Sequence, residues 1–155
     1  RLKIDAIAIF SDVTNAGAAT PLAAGTLYDN TQTGIVYESV HQWTQATMTL
    51  TPPRGPWNMT QSTATAGGAL MQLYVEGNAV VLYQYGAALN SRQVRVCVRT
   101  IEGLDCTEFS QAAARPTYFT PVVIYGLGSA STHQVFVENR DHGRTMNIDA
   151  IRVLE

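Results

Sequence analysis

Ala69-Leu70-Met71-Gln72-Leu73-Tyr74-Val75, then Glu76-Gly77-Asn78, then Ala79-Val80-Val81-Leu82-Tyr83-Gln84-Tyr85 is the stretch on which the fold turns. Two runs rich in β-branched and aromatic residues flank a Gly-Asn turn signal, with Gly67-Gly68 before them and Gly86 after. The runs are too short for helices and have the composition of strands. The pair reads as a hairpin or as a corner where the chain passes between sheets.

Downstream the same signal recurs. Val94, Val96 and Val98 alternate with Arg95, Cys97 and Arg99, the period of a half-buried strand, which sets Cys97 on the outward side with the arginines. Glu102-Gly103 turns the chain back toward Cys106. Tyr118 to Tyr125 is a further strand, ended by Gly126-Leu127-Gly128. His133, Val135 and Val137 then share one side of another. Ile148-Asp149-Ala150-Ile151 closes the chain, and Ser110 to Arg115 is the only helix candidate. Upstream, Ile35-Val36-Tyr37 and Trp43 precede a weaker alternation from Thr44 to Leu50. Pro52-Pro53-Arg54-Gly55-Pro56 then breaks any ladder and leaves Trp57 on an irregular loop. Many short strands with turns between them predict an all-β protein, a β-sandwich of two mostly antiparallel sheets.

The closing strand has a counterpart at the other end. Leu2-Lys3-Ile4-Asp5-Ala6-Ile7-Ala8-Ile9 lies over Met146-Asn147-Ile148-Asp149-Ala150-Ile151-Arg152-Val153, at an offset of 148 − 4 = 144 positions. Residues 1–10 therefore read as a strand equivalent to the closing strand of a neighbouring repeat or subunit. Residues 11–24, small and uncharged, read as a linker, and 25–155 as the sandwich domain. Leu2, Ile4, Asp5, Ala6, Ile7 and Ile9 are the candidate inter-subunit strand.

Only 14% of the 155 residues are charged and the net charge is −2, so there is no electrostatic footprint for nucleic acid. No apolar run approaches the roughly 20 residues of a membrane helix. Cys97 and Cys106, at hairpin spacing, favour a disulfide and an oxidising compartment over free thiols or a metal site. Asn58-Met59-Thr60 is an N-glycosylation acceptor in a host that glycosylates.

Catalysis needs a nucleophile with a base, a carboxylate pair or a metal on converging elements. His41, His133 and His142 are scattered, as are the carboxylates, and no catalytic or phosphate-binding motif occurs. The expectation is no enzyme. Sugar binding needs an exposed aromatic platform, and Trp57, Tyr85 and Tyr118 are the candidates, whereas Trp43 is assigned to the core. Asp149 shares a strand face with Ile151 and Val153. A carboxylate buried there needs donors or a cation. Backbone or Arg hydrogen bonds are favoured over a metal.

In order and spacing these elements resemble the jelly-roll repeats of large secreted bacterial surface proteins, related to galactose-binding-like domains and carbohydrate-binding modules. The pieces that carry the resemblance are Pro21 to Asn30, Ile35-Val36-Tyr37 before Trp43, Gly67-Gly68, Gly77 to Tyr83, Val94 to Val98, Gly126-Leu127-Gly128 with His133, and the Ile148-Asp149-Ala150-Ile151 strand. The resemblance implies a jelly-roll fold and a secreted, cell-surface setting. Where modules of this kind carry an Asp-Gly turn after the valine strand, this chain has Arg99-Thr100, so no ligand of that turn carries over. No cofactor is implied beyond a structural calcium shared by Asp149 with Asp29 or Asn30, since such modules often hold one.

Two functions follow. The first is a non-catalytic structural or adhesive unit of a tandem-repeat surface protein or self-assembling filament, joined head-to-tail to copies of itself by β-strand addition. The alternative is a carbohydrate-binding module of a larger secreted enzyme, with a polysaccharide as partner.

Overall fold

The structure, a computed structural model, describes residues 20–38, 42–50, 54–100, 102–127 and 132–155. The repeated strand Leu2–Ile9, most of the linker and His41 lie outside these. The described residues form two main sheets packed face to face and a small third one, the all-β jelly-roll sandwich expected.

One main sheet runs β1 (Leu22–Ala23), β6 (Leu70–Glu76), β11 (Thr132–Asn139), β8 (Val94–Thr100), β9 (Gly103–Phe109), with β3 (Ile35–Tyr37) also on β6. We call it the long sheet. The second, the short sheet, runs β10 (Thr117–Ile124), β7 (Ala79–Gly86), β13 (Ala150–Leu154), β2 (Leu27–Asp29). The third joins β12 (Met146–Ile148), β5 (Thr60–Ala64) and β4 (Trp43–Thr47). All pairings are antiparallel except β1 with β6, where Leu22 lies opposite Val75. Among the described residues the first strand of this sheet is at Leu22–Ala23, within the stretch 11–24 expected as linker.

Alternation decides which side chains meet. Met71, Leu73 and Val75 of β6, Val80 and Leu82 of β7, Val94 and Val96 of β8, Val135 and Val137 of β11, and Ile151 and Val153 of β13 are all buried in one core. Each such side chain stabilises the fold by about 1.5–3 kcal/mol relative to exposure. Trp43 joins them, its ring 4.7 Å from that of Tyr37.

The Gly77-Asn78 turn is a corner, because β6 and β7 belong to different sheets. Glycine is required there by crowding, since a Cβ at 77 would run into the Leu154 carbonyl and the Val153 side chain. Residues 110–115, the helix candidate, are irregular instead. Gln111 is buried and spends its side chain on the backbone of Asn147, while the Gln111 and Ala113 N–H groups donate to Ser91 and Ala87. These partners outcompete a single helical turn, whose nucleation is costly.

Cys97 and Cys106 face each other across β8 and β9 and are joined, Cα to Cα 4.1 Å. Cys97 lies on the outward side as expected, yet is only 5% exposed because Phe136 of β11 flanks it.

Candidate functional site

The outer side of the short sheet is aromatic. Tyr83 and Tyr85, two apart on β7, project away from the core that receives Leu82. Phe119 of β10 stacks on Tyr83, centroids 4.0 Å apart and planes within 9°. Trp57 stacks on Phe119 in turn, at 5.9 Å and 27°. Beside this row Tyr118 stacks on Tyr85 at 4.5 Å and 26°. Trp57, Tyr85 and Tyr118, named from sequence as glycan contacts, thus lie on one face. Phe119 and Tyr83 complete the stack that Trp57 ends, and Tyr85 with Tyr118 forms a second stack beside it.

Phe119 escaped the sequence reading because period-two alternation fails locally. The register of β10 on β7 slips between Thr117 and Thr120, and Phe119 takes φ 52°, the left-handed region that a bulky residue rarely occupies. That bulge turns consecutive residues Tyr118 and Phe119 onto the same face.

Tyr85 is held by its backbone. The Asn147 side chain accepts from Tyr85 N–H at 2.6 Å and donates to Tyr85 C=O at 2.7 Å, so an amide side chain continues the ladder that β13 makes with β7. Gln111 then satisfies the Asn147 backbone in turn, at 2.7 and 2.9 Å. No sequence motif signals this relay, since a buried Asn and a buried Gln read from sequence as surface polar residues.

Trp57 is held from the other side. Its N–H donates to Asp149 Oδ1 at 2.6 Å, which fixes the loop to the break between β12 and β13. The next two residues, Asn58 and Met59, both have positive φ, 50° and 61°. The Trp57 side chain remains 40% exposed.

Asp149 is only 1% exposed and its Oδ2 has no hydrogen-bond partner. Burial pushes its carboxyl up to about 7; the Trp57 N–H works against this and the nearby Asp29 charge adds to it. Asp29 goes the other way. Burial pushes it up, but hydrogen bonds from Thr31, Thr60 and Asn58 outweigh burial and hold it below the usual carboxylate range. The backbone donor expected for Asp149 is present. Among the described residues Asp149 Oδ2 is unpartnered and Asp29 is near enough to act on it by charge, whereas the Asn30 amide, oriented to satisfy its hydrogen bonds, turns its nitrogen toward Asp29, Thr60 and the Asp149 carbonyl and so offers no oxygen to a cation there. Among the described residues no three His, Cys, Asp or Glu side chains gather as metal ligands.

The remaining candidates lie apart. His133 sits in β11 opposite Val75, at the far end of the sandwich, and His142 is exposed near Gly67. Asn58 is exposed, with its amide bonded to Asp29.

By sequence the chain matches no family profile and no curated protein. By structure it is similar to a family 35 carbohydrate-binding module from an environmental isolate, at 14% identity, TM-score 0.56, covering 84% of this chain and 93% of that one. It is equally similar to a family 6 carbohydrate-binding module from Clostridium cellulolyticum in complex with xylose, at 11% identity and TM-score 0.57, covering 86% and 100%. A two-domain esterase active on acetylated mannans is similar at 15% identity and TM-score 0.59, with 83% of this chain on 36% of that one. The fold is therefore the jelly roll of carbohydrate-binding modules, as the sequence resemblance implied.

Proposed function

We propose that the chain is a non-catalytic, extracellular carbohydrate-binding unit, and that the short sheet's aromatic face is its glycan contact. One observation carries the reading: Trp57 stands 40% exposed at the end of a stacked row, with its own backbone anchored by Asp149. A ring fixed before binding loses little entropy when a sugar lies on it. The inner faces of the row are used up on one another, so Trp57 offers the open ring face, and the Tyr85–Tyr118 pair a second contact. Arg152 is the one cation of β13 and Arg54 stands exposed three residues before Trp57, a sparse charge that suits a largely uncharged polysaccharide. The disulfide fits an oxidising, extracellular setting. Among the solved structures of this fold are modules holding cellotriose, xylose and cellobiose, which favours this reading over a purely structural repeat.

Asp149 and Asp29 are the residues that would hold calcium. Its charge would neutralise two neighbouring carboxylates and so stiffen the loop that carries Trp57.

Affinity electrophoresis in gels containing soluble xylan or mixed-linkage β-glucan tests the function. Retardation by one of these gels, lost in Trp57→Ala, is expected. An unretarded wild type across both gels and a glycan array, or retention undiminished in Trp57→Ala, overturns the reading.

A further inference from the structure

Among the described residues the sandwich is open along one side. β9 pairs only with β8 and β10 only with β7 among the described residues, so each main sheet presents an unpaired strand there. Between them runs a groove in two connected parts of about 380 and 250 Å3, which share Val98, Asp105 and Tyr125. Val96, Val98, Val123, Ile124 and Leu127 give it an apolar lining. Tyr125 at its rim is 77% exposed. An unpaired strand beside an apolar trough is the geometry that accepts an added strand.

Charge selects the occupant. β9 has Asp105 and Glu108 and no cation, and Glu102 sits in its turn. Two copies meeting β9 to β9 would bring these acids together. Asp105 lies opposite Val98 and lines the groove, which Arg99 also borders, so an added strand that sets a cation against Asp105 is favoured over a neutral one. A strand with a cation among apolar residues fits, and the chain contains one: Arg1-Leu2-Lys3-Ile4-Asp5-Ala6-Ile7-Ala8-Ile9, with its sole lysine. Reach is sufficient. The first described strand, β1, places Leu22 beside Val75, at the end of the sandwich where Leu127 and Thr132 border the groove. From there β9 is four strand spacings away along the sheet path, about 19 Å. Ten extended residues span up to about 33 Å.

We infer that Leu2–Ile9, from the same or a neighbouring copy, adds to the β9 edge and fills this groove, with Lys3 answering Asp105. The site is independent of the aromatic face.

Hydrogen–deuterium exchange on the full chain tests it. Deleting residues 1–10 is expected to speed exchange of the Gly103–Phe109 amides at least tenfold while Ala150–Leu154 stays protected. A synthetic peptide of residues 1–10 restores the protection. Lys3→Asp removes it, and Lys3→Asp combined with Asp105→Lys brings it back. Light scattering then distinguishes same-chain docking, which leaves a monomer, from docking between copies. Unchanged β9 exchange on deletion overturns the inference. So does protection that depends on protein concentration but not on residues 1–10, or a charge swap that restores nothing.

Discussion

The two outer faces of the sandwich are built from the same alternation and finished in opposite ways. On the long sheet the outward side chains complete one another. Glu138 takes two hydrogen bonds from Arg95 and an ion pair from Arg140, and Gln134 donates to both Gln72 and Tyr74. Gln72 donates on to Glu38 at 2.5 Å. In their midst Phe136 is 2% exposed although it points away from the core, with Cys97 on one side, Gln72 on the other and the Arg99 guanidinium 5.6 Å from its centroid. On the short sheet the rings stack in rows whose ends stay open to solvent. A face whose polar groups are already paired gains little from a ligand, whereas an exposed, positioned ring still has surface to bury. The contrast is what favours the short sheet's face, over the long sheet's, as the proposed glycan contact.

Mutations should separate the two. Phe136→Ala, on the paired face, should cost about 3–5 kcal/mol of stability as a buried-ring truncation, with glycan affinity of the folded fraction unchanged. Denaturant unfolding checks it, and a comparable loss of affinity would blur the division. Reducing the Cys97–Cys106 bridge, or replacing both cysteines with serine, should cost about 2–3 kcal/mol for so short a loop and again spare binding. On the aromatic face the pattern inverts. Trp57→Ala should weaken polysaccharide binding tenfold or more, about 1.4 kcal/mol, while the melting temperature moves by only a few degrees. Tyr118→Ala should do the same to a smaller degree, measured by calorimetry against the same glycan.

Asp149 links the aromatic face to pH. The folded state holds this proton more tightly than the unfolded chain does, since its pKa is raised to about 7 from 3.8. Its contribution is therefore complete in acid and is lost as pH rises from about 4 to about 7, a fall on the order of 2 kcal/mol between pH 5 and pH 8 in chelator-treated protein. Thermal melts across that range check the sign, and Asp149→Asn should flatten the slope. Added calcium should raise the melting point at pH 8 in the wild type and not in Asp149→Asn; no rise in the wild type removes calcium from the proposed function.

Much of this was legible in the residues themselves. Alternating valines placed β8, the Gly-Asn corner divided β6 from β7, and hairpin spacing paired the cysteines, because each of these is a local rule. Trp57 stood out because a large ring after Pro-Pro-Arg-Gly-Pro has no ladder to join. The rest depends on contacts between distant segments. Phe119 joins the row only through a bulge that no residue type announces, and the clamp of Asn147 on Tyr85 spans 62 positions. Residues 110–115 read as a helix candidate because their partners, Ser91, Ala87 and Asn147, are invisible from within the segment.

The bridge across the β8–β9 hairpin has a further consequence, one that concerns survival among proteases. Cys97 and Cys106 enclose the turn at Glu102, an exposed bend at the long sheet's edge. A protease that cleaves anywhere between them severs the chain but frees no fragment, because the sulfurs still join the two halves. β8 and β9 would stay in register on either side of the nick. The hairpin that ends the long sheet can thus be cut and still hold its place.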